Sequence, residues 1–159
     1  MTAGVFLDTD VLVYAYDRTE PAKQQRAMEV LQTLAAAQAG VVNTQVLGEF
    51  FVTVTGKLDQ PLSLSDAERQ LAEHLQLWKV LELSPFIVLE AVRGVREHRL
   101  NYWDGQIWAT ARLNQIPVVF SEDFADGVLL EGVRFVNPFA PAFRMEDWGL
   151  TTPPEEPPR

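Results

Sequence analysis

Short uninterrupted apolar runs alternate along this chain with longer stretches in which apolar residues return every three or four positions. The first pattern reads as buried strands and the second as amphipathic helices. Gly4-Val5-Phe6-Leu7, Val41-Val42, Val80 to Leu83, Pro117 to Phe120 and Val133 to Val136 are the expected strands. Between them, a turn or two of helix is expected over Val11 to Tyr16, and a longer helix from Thr19, its N-cap, to about Ala39, with Gly40 as the stop. Further helices run from a Thr44 cap to Gly56, from Ser63 to Trp78, from Pro85 to Arg99 and from Asp104 to Gln115. Val46, Leu47, Phe50, Phe51 and Val54 share one side of the Thr44 helix. In the Ser63 helix, Ser65 and Glu68 have the spacing of a capping box.

Strands that alternate with helices need crossover connections. The predicted fold is therefore α/β, a single domain with a mainly parallel central sheet flanked by helices. There is no internal repeat. The folded domain is expected over residues 1–140, followed by a 141–159 extension. Its end, Thr151 to Arg159, is proline-rich and lacks apolar side chains, so it is expected to be disordered.

Ligands of parallel sheets sit beyond the carboxyl ends of the strands. Two predicted strands run into acids there, at Asp8-Thr9-Asp10 and at Ser121-Glu122-Asp123. Asp10 reads as the cap of the next helix, whereas Asp8 sits within the apolar register. Glu49 is the sole formal charge between Val30 and Gly56, either a solvent-facing residue or a ligand. Asp104 shares a helical face with Ile107, Trp108 and Ala111. A carboxylate turned inward there costs several kcal/mol (roughly 3–5) unless something pairs with it. Asp123 alone could be an ordinary turn residue.

Composition narrows the chemistry. The absence of Cys removes thiolate metal sites and suits a reducing cytoplasm. With only His74 and His98, any metal must be held by oxygen, which favours Mg²⁺ or Mn²⁺. Carboxylates converging without a nearby cation repel until a divalent ion joins them, and such an ion can activate water at a phosphodiester. Thirteen Lys plus Arg against 22 Asp plus Glu leave a net charge of −9, which opposes binding driven by phosphate neutralisation. The basic feature best placed for RNA is Arg93, Arg96 and Arg99, as phosphate contacts or as a solvated helix face. Tyr102 and Trp103 could stack on bases, but core packing is the expectation. No basic region precedes an apolar run at the amino terminus, and no run is long enough to span a membrane, so a soluble cytoplasmic protein is expected.

Phe6 to Ala15 resembles the opening motif of PIN-domain nucleases. Gln45 to Phe50 resembles their second motif, Tyr102-Trp103-Asp104-Gly105 the third, Ser121-Glu122-Asp123 the fourth, and Val136 to Phe139 their usual close. The likeness is nearest to VapC-type toxins of bacterial toxin–antitoxin pairs. It implies a three-layer α/β/α fold and a metal-dependent endoribonuclease, usually a homodimer, inhibited by a co-expressed antitoxin. It also implies Asp8, Glu49 and Asp104 as core metal ligands and catalytic residues, Asp123 completing the site, and Thr9 or Ser121 in support. Asp10 departs from the pattern, as it stands where many members carry a neutral residue. Two other readings compete. The Asp8-Thr9-Asp10 run also fits the opening of haloacid-dehalogenase-like phosphatases, yet no lysine follows Lys79 to hold a phosphoryl group, and Glu49 and Asp104 go unused. A non-catalytic PIN-like module that binds RNA or a partner has no reason to keep the acids together.

Overall fold

The computed structural model describes residues 4–151. The chain forms β1 (Val5–Leu7), α1 (Thr9–Tyr14), α2 (Pro21–Ala36), β2 (Gly40–Asn43), α3 (Thr44–Gly56), α4 (Leu64–Leu77), β3 (Lys79–Leu81), α5 (Pro85–His98), α6 (Tyr102–Leu113), β4 (Val118–Phe120), β5 (Leu129–Leu130) and β6 (Val133–Val136). One sheet holds the strands in the order β3-β2-β1-β4-β6-β5, parallel throughout except for the β5–β6 pair. Helices flank it, as the alternating pattern predicts. Among the described residues, no helix is long and apolar enough to cross a membrane.

The order of strands locates the site. From β1 the chain moves outward through β2 to β3, then returns to β1's other side as β4. That reversal opens a crevice at the carboxyl ends of β1 and β4. Leu7 pairs with Phe120, so Asp8 and Ser121 leave the sheet as neighbours. The backbone N–H of Asp8 also donates to the Phe120 carbonyl at 3.0 Å.

Beneath the crevice, Phe6, Leu7, Val42, Phe50, Val119 and Phe120 are fully buried. Helices α5 and α6 meet at two glycines. A Cβ on Gly94 would lie 2.8 Å from the Trp108 ring, and one on Gly105 would lie 2.9 Å from the Ala91 carbonyl oxygen. This close joint seats the amino end of α6, and with it Asp104. On the other side of the core, His74 accepts a 2.9 Å hydrogen bond from the Trp78 indole and packs edge-on against Phe50. Burial depresses its pKa to about 4, so it is a neutral packing residue.

Several expected boundaries move. Asn43 rather than Thr44 caps α3, and Ser63 rather than Ser65 caps α4, each side chain accepting from the N–H three residues on. The Thr19 hydroxyl donates to Asp17, so it does not cap α2. Gly40 opens β2, where the Trp78 ring leaves no room for a Cβ. α6 starts two residues early, at Tyr102, capped by Asn101. The strand β5 was not anticipated. Two residues carry no periodicity, and its pairing rests on the tight turn at Glu131 and Gly132, both with positive φ. Beyond residue 140 the chain still packs on the core, through buried Met145 and Leu150. The tail expected to be disordered lies outside the described residues from 152 onward.

Candidate active site

Asp8, not Asp10, is the N-cap of α1. Its side chain accepts from the Thr9 N–H at 2.7 Å and from the Ser121 hydroxyl at 2.7 Å. It is 5 % exposed, and burial raises its pKa to about 7 in spite of these two donors, with Asp123 and Asp104 adding like charge. Asp10 lies in the first turn of α1. One of its oxygens accepts from the Glu122 N–H at 2.9 Å, and the other is buried with no hydrogen-bond partner. Burial and the charge of Asp8 raise its pKa well above the usual range. Asp123 follows β4 and completes a triangle: one carboxylate oxygen from each of Asp8, Asp10 and Asp123 lies within 4.8 Å of the others.

Glu49 and Asp104 come from α3 and α6. The Thr9 hydroxyl donates to one oxygen of Glu49 at 2.7 Å and the Gln45 amide to the other at 2.9 Å. Gln45 in turn accepts from Gln106, which accepts from the Tyr102 hydroxyl. Asp104 receives the Asn101 amide at 2.6 Å. It is half-buried rather than fully inward, because it stands at the rim where α6 begins. Burial raises the pKa of Asp104, and Asp123 and Glu49 raise it further; burial likewise lifts Asp123, with Glu122 and Glu49 as the nearby charges.

Of the four acids named from sequence, Asp8 and Asp123 come together with Asp10, while Glu49 and Asp104 stand outside that triangle as neighbouring charges. Every ion pair among the described residues uses other acids, namely Glu122, Asp66, Glu90, Glu97, Glu131 and Glu146. A cleft of about 770 Å³ opens between α1 and α3, lined by Asp10, Glu49 and Asp123 together with Tyr14, Val52 and Leu58. Arg93, Arg96 and Arg99 do not line it. Arg93 is bonded to Glu90, Glu97 and Glu131, Arg96 is exposed beside Glu97, and Arg99 ends α5 in a left-handed conformation. Trp103 departs from the core-packing expectation, being 61 % exposed. Gln45, Asn101 and Gln106 were missed. Gln45 left a trace in the sequence four residues before Glu49, and Gln106 as an amide at the head of the buried run Gly105 to Ala111.

A model of the PIN domain family matches residues 5–125. The chain belongs to the PIN domain family. It is that family match which sets aside the phosphatase reading of Asp8 and Asp10. No curated protein gives a significant match. Among solved structures, the chain is similar to a toxin–antitoxin complex from Klebsiella pneumoniae, at TM-score 0.63 and 18 % identity over 85 % of this chain and 98 % of that one. It is also similar to VapC20 of Mycobacterium tuberculosis, a toxin that cleaves the sarcin–ricin loop, at TM-score 0.58 and 17 % identity over 82 % and 99 %. VapBC2 from Rickettsia felis, bound to a DNA fragment from its promoter, aligns at TM-score 0.58 and 13 % identity over 82 % and 96 %. At these identities the likeness speaks to the fold.

The donor set of this PIN domain fits a hard divalent cation. It offers carboxylate oxygens alone, without sulfur or imidazole. The unpartnered buried oxygen of Asp10 is the kind of atom an ion satisfies, since a buried carboxylate oxygen left bare is costly.

Proposed function

We propose that this PIN domain is a metal-dependent endoribonuclease acting in the cytoplasm as the toxin of a toxin–antitoxin pair, with Mg²⁺ or Mn²⁺ held by Asp8, Glu49, Asp104 and Asp123. The observation that carries this reading is the gathering of Asp8, Asp10 and Asp123 within 4.8 Å, with Glu49 and Asp104 beside them, none of the five taking part in an ion pair among the described residues. When bound, the ion supplies a Lewis acid that shields the scissile phosphate and acidifies an attacking water.

The chain's own residues prepare that arrangement. Ser121 bridges the two strand ends, donating to Asp8 and accepting from the Asp123 N–H at 3.1 Å. Thr9 and Gln45 fix both oxygens of Glu49, and Asn101 fixes Asp104 while capping its helix. Such outer contacts orient ligands and sharpen metal affinity. Thr9 and Ser121 are therefore supporting residues, and Arg96 and Arg99, both exposed, remain available for phosphate.

The proposed partners are an RNA substrate, a cognate antitoxin and a second copy of the chain. Support for protein partners comes from α5, where Phe86, Leu89 and Val92 are 73 %, 69 % and 49 % exposed on one face. The toxin–antitoxin complexes named above give the precedent. Incubation of the purified protein with RNA, with Mg²⁺, with Mn²⁺ and with chelator, tests the reading. Cleavage that needs the ion and disappears in Asp8→Asn and Asp104→Asn is the expected result; cleavage in chelator would overturn it.

A further inference from the structure

We propose that Trp103, exposed next to Asp104, is a stacking platform for an unpaired nucleobase of the RNA substrate. The proposal rests on the nuclease reading above.

Trp103 is 61 % exposed, whereas Trp78 and Trp108 are buried. Its position ties it to the site. It immediately precedes Asp104 in the first turn of α6. Its carbonyl accepts from the Gln45 amide nitrogen at 3.3 Å, and that same nitrogen donates to Glu49. The residue therefore shares a donor with one candidate ligand and a peptide bond with another. Trp103 is also braced. The Tyr102 ring meets it at 5.0 Å and 78°, and the Tyr102 hydroxyl is fixed on Gln106. An aromatic ring held in place before binding loses little freedom when a base lands on it.

Charge points the same way. Several cations are already engaged: Arg93 by three glutamates, Arg112 by Glu90, Lys23 by Glu122 and Arg26 by the Pro138 carbonyl, and the exposed Arg96 and Arg99 do not line the cleft. Lys57 is the single basic residue lining the cleft among the described residues. Stacking needs no positive charge and accepts any base that shows its face. A duplex hides those faces between its own neighbours, which leaves single strands, loops and bulges.

The test is binding of the full-length protein to a fluorescent 2′-O-methyl oligonucleotide, which cannot be cleaved, in Mg²⁺. Trp103→Ala should weaken single-strand binding about 5- to 150-fold. Trp103→Phe should recover most of it, and the salt slope should stay that of the parent because no phosphate contact is lost. A blunt duplex of the same strand with its complement should bind poorly to all three proteins. Thermal melts confirm that each variant is folded. If the parent neither binds nor cleaves RNA, the nuclease reading fails. If the parent cleaves and Trp103→Ala matches it in KM and affinity, the platform alone is overturned. Unchanged RNA binding with loss of self-association or of antitoxin binding assigns the indole to a protein interface and likewise overturns it.

Discussion

Among the described residues, two places gather three acidic or histidine side chains within 4.8 Å: Asp8 with Asp10 and Asp123, and Glu97 with His98 and Glu131. Their surroundings differ. Arg93 bonds Glu97 and Glu131, Arg112 lies 3.8 Å from Glu131, and His98 meets Glu131 at 2.6 Å. Hydrogen bonds from these partners hold the pKa values of Glu97 and Glu131 below their ordinary range. At the crevice, burial and like charge push Asp8, Asp10, Asp104 and Asp123 upward. Proximity of acids is common to both. What sets the crevice apart is the missing counter-charge.

The largest expected effect separates the two clusters by activity. Asp8→Asn should reduce RNA cleavage by more than the roughly 100-fold at which losses of ligand-orienting residues end. Glu131→Gln should leave kcat and KM unchanged. Equal losses in both variants would erase the distinction.

The next effect is on thermal stability. The folded pKa of Asp8 is about 7, above its unfolded value of about 4. The folded metal-free protein thus binds the extra proton, and the stability this gives is complete below about pH 4 and lost as pH rises towards 7. A cation replaces the proton, so the rise in Tm on adding Mg²⁺ or Mn²⁺ should be larger at about pH 7.5 than at about pH 5. Metal-free Asp8→Asn should melt above the parent at neutral pH. A chelated variant no more stable than the parent would show that the acids do not repel one another there.

Smaller still is the surface cluster. Glu131 is depressed, so its contribution is present above its unfolded pKa and is lost as pH falls. Glu131→Gln should lower Tm by roughly 1–3 °C near neutral pH, less in high salt, because the pair is half-exposed. His74 supplies an independent control. Its folded pKa of about 4 lies below the ordinary 6.5, so its contribution fades as pH falls across that interval, opposite in sign to Asp8. Acid melts of Asp8→Asn should therefore slope more steeply than those of the parent between about pH 6.5 and 4.5. Parallel slopes would mean the two groups do not titrate as described.

Much of this was legible because the strands are apolar runs with acids at their ends, and the sheet's parallel order follows from alternation with helices. Asp8 and Asp123 could be picked on that basis, Glu49 as the lone charge of its stretch, and Asp104 from the apolar helical face it shares. What stayed hidden depends on contacts between distant segments. Which of Asp8 and Asp10 caps α1 is decided by the hydrogen bonds Ser121 and the Glu122 N–H supply from more than a hundred residues away. Arg93 and Arg96 show their helical spacing in the sequence, but not Glu131 waiting across from Arg93. The exposure of Trp103 was missed because it borders a buried helix, and first-turn residues need not follow the apolar face of the turns after them.

The glycine joint between α5 and α6 carries a mechanical consequence. With a methyl at position 105 destined to sit 2.9 Å from the Ala91 carbonyl, the two helices are butted together with no slack. Whatever leans on Phe86, Leu89 and Val92 from outside therefore presses, through α5, on the helix that bears Asp104 and Trp103. A partner proposed to dock on that outer face would thus bear on the helix whose first turn holds Asp104 at the rim of the cleft.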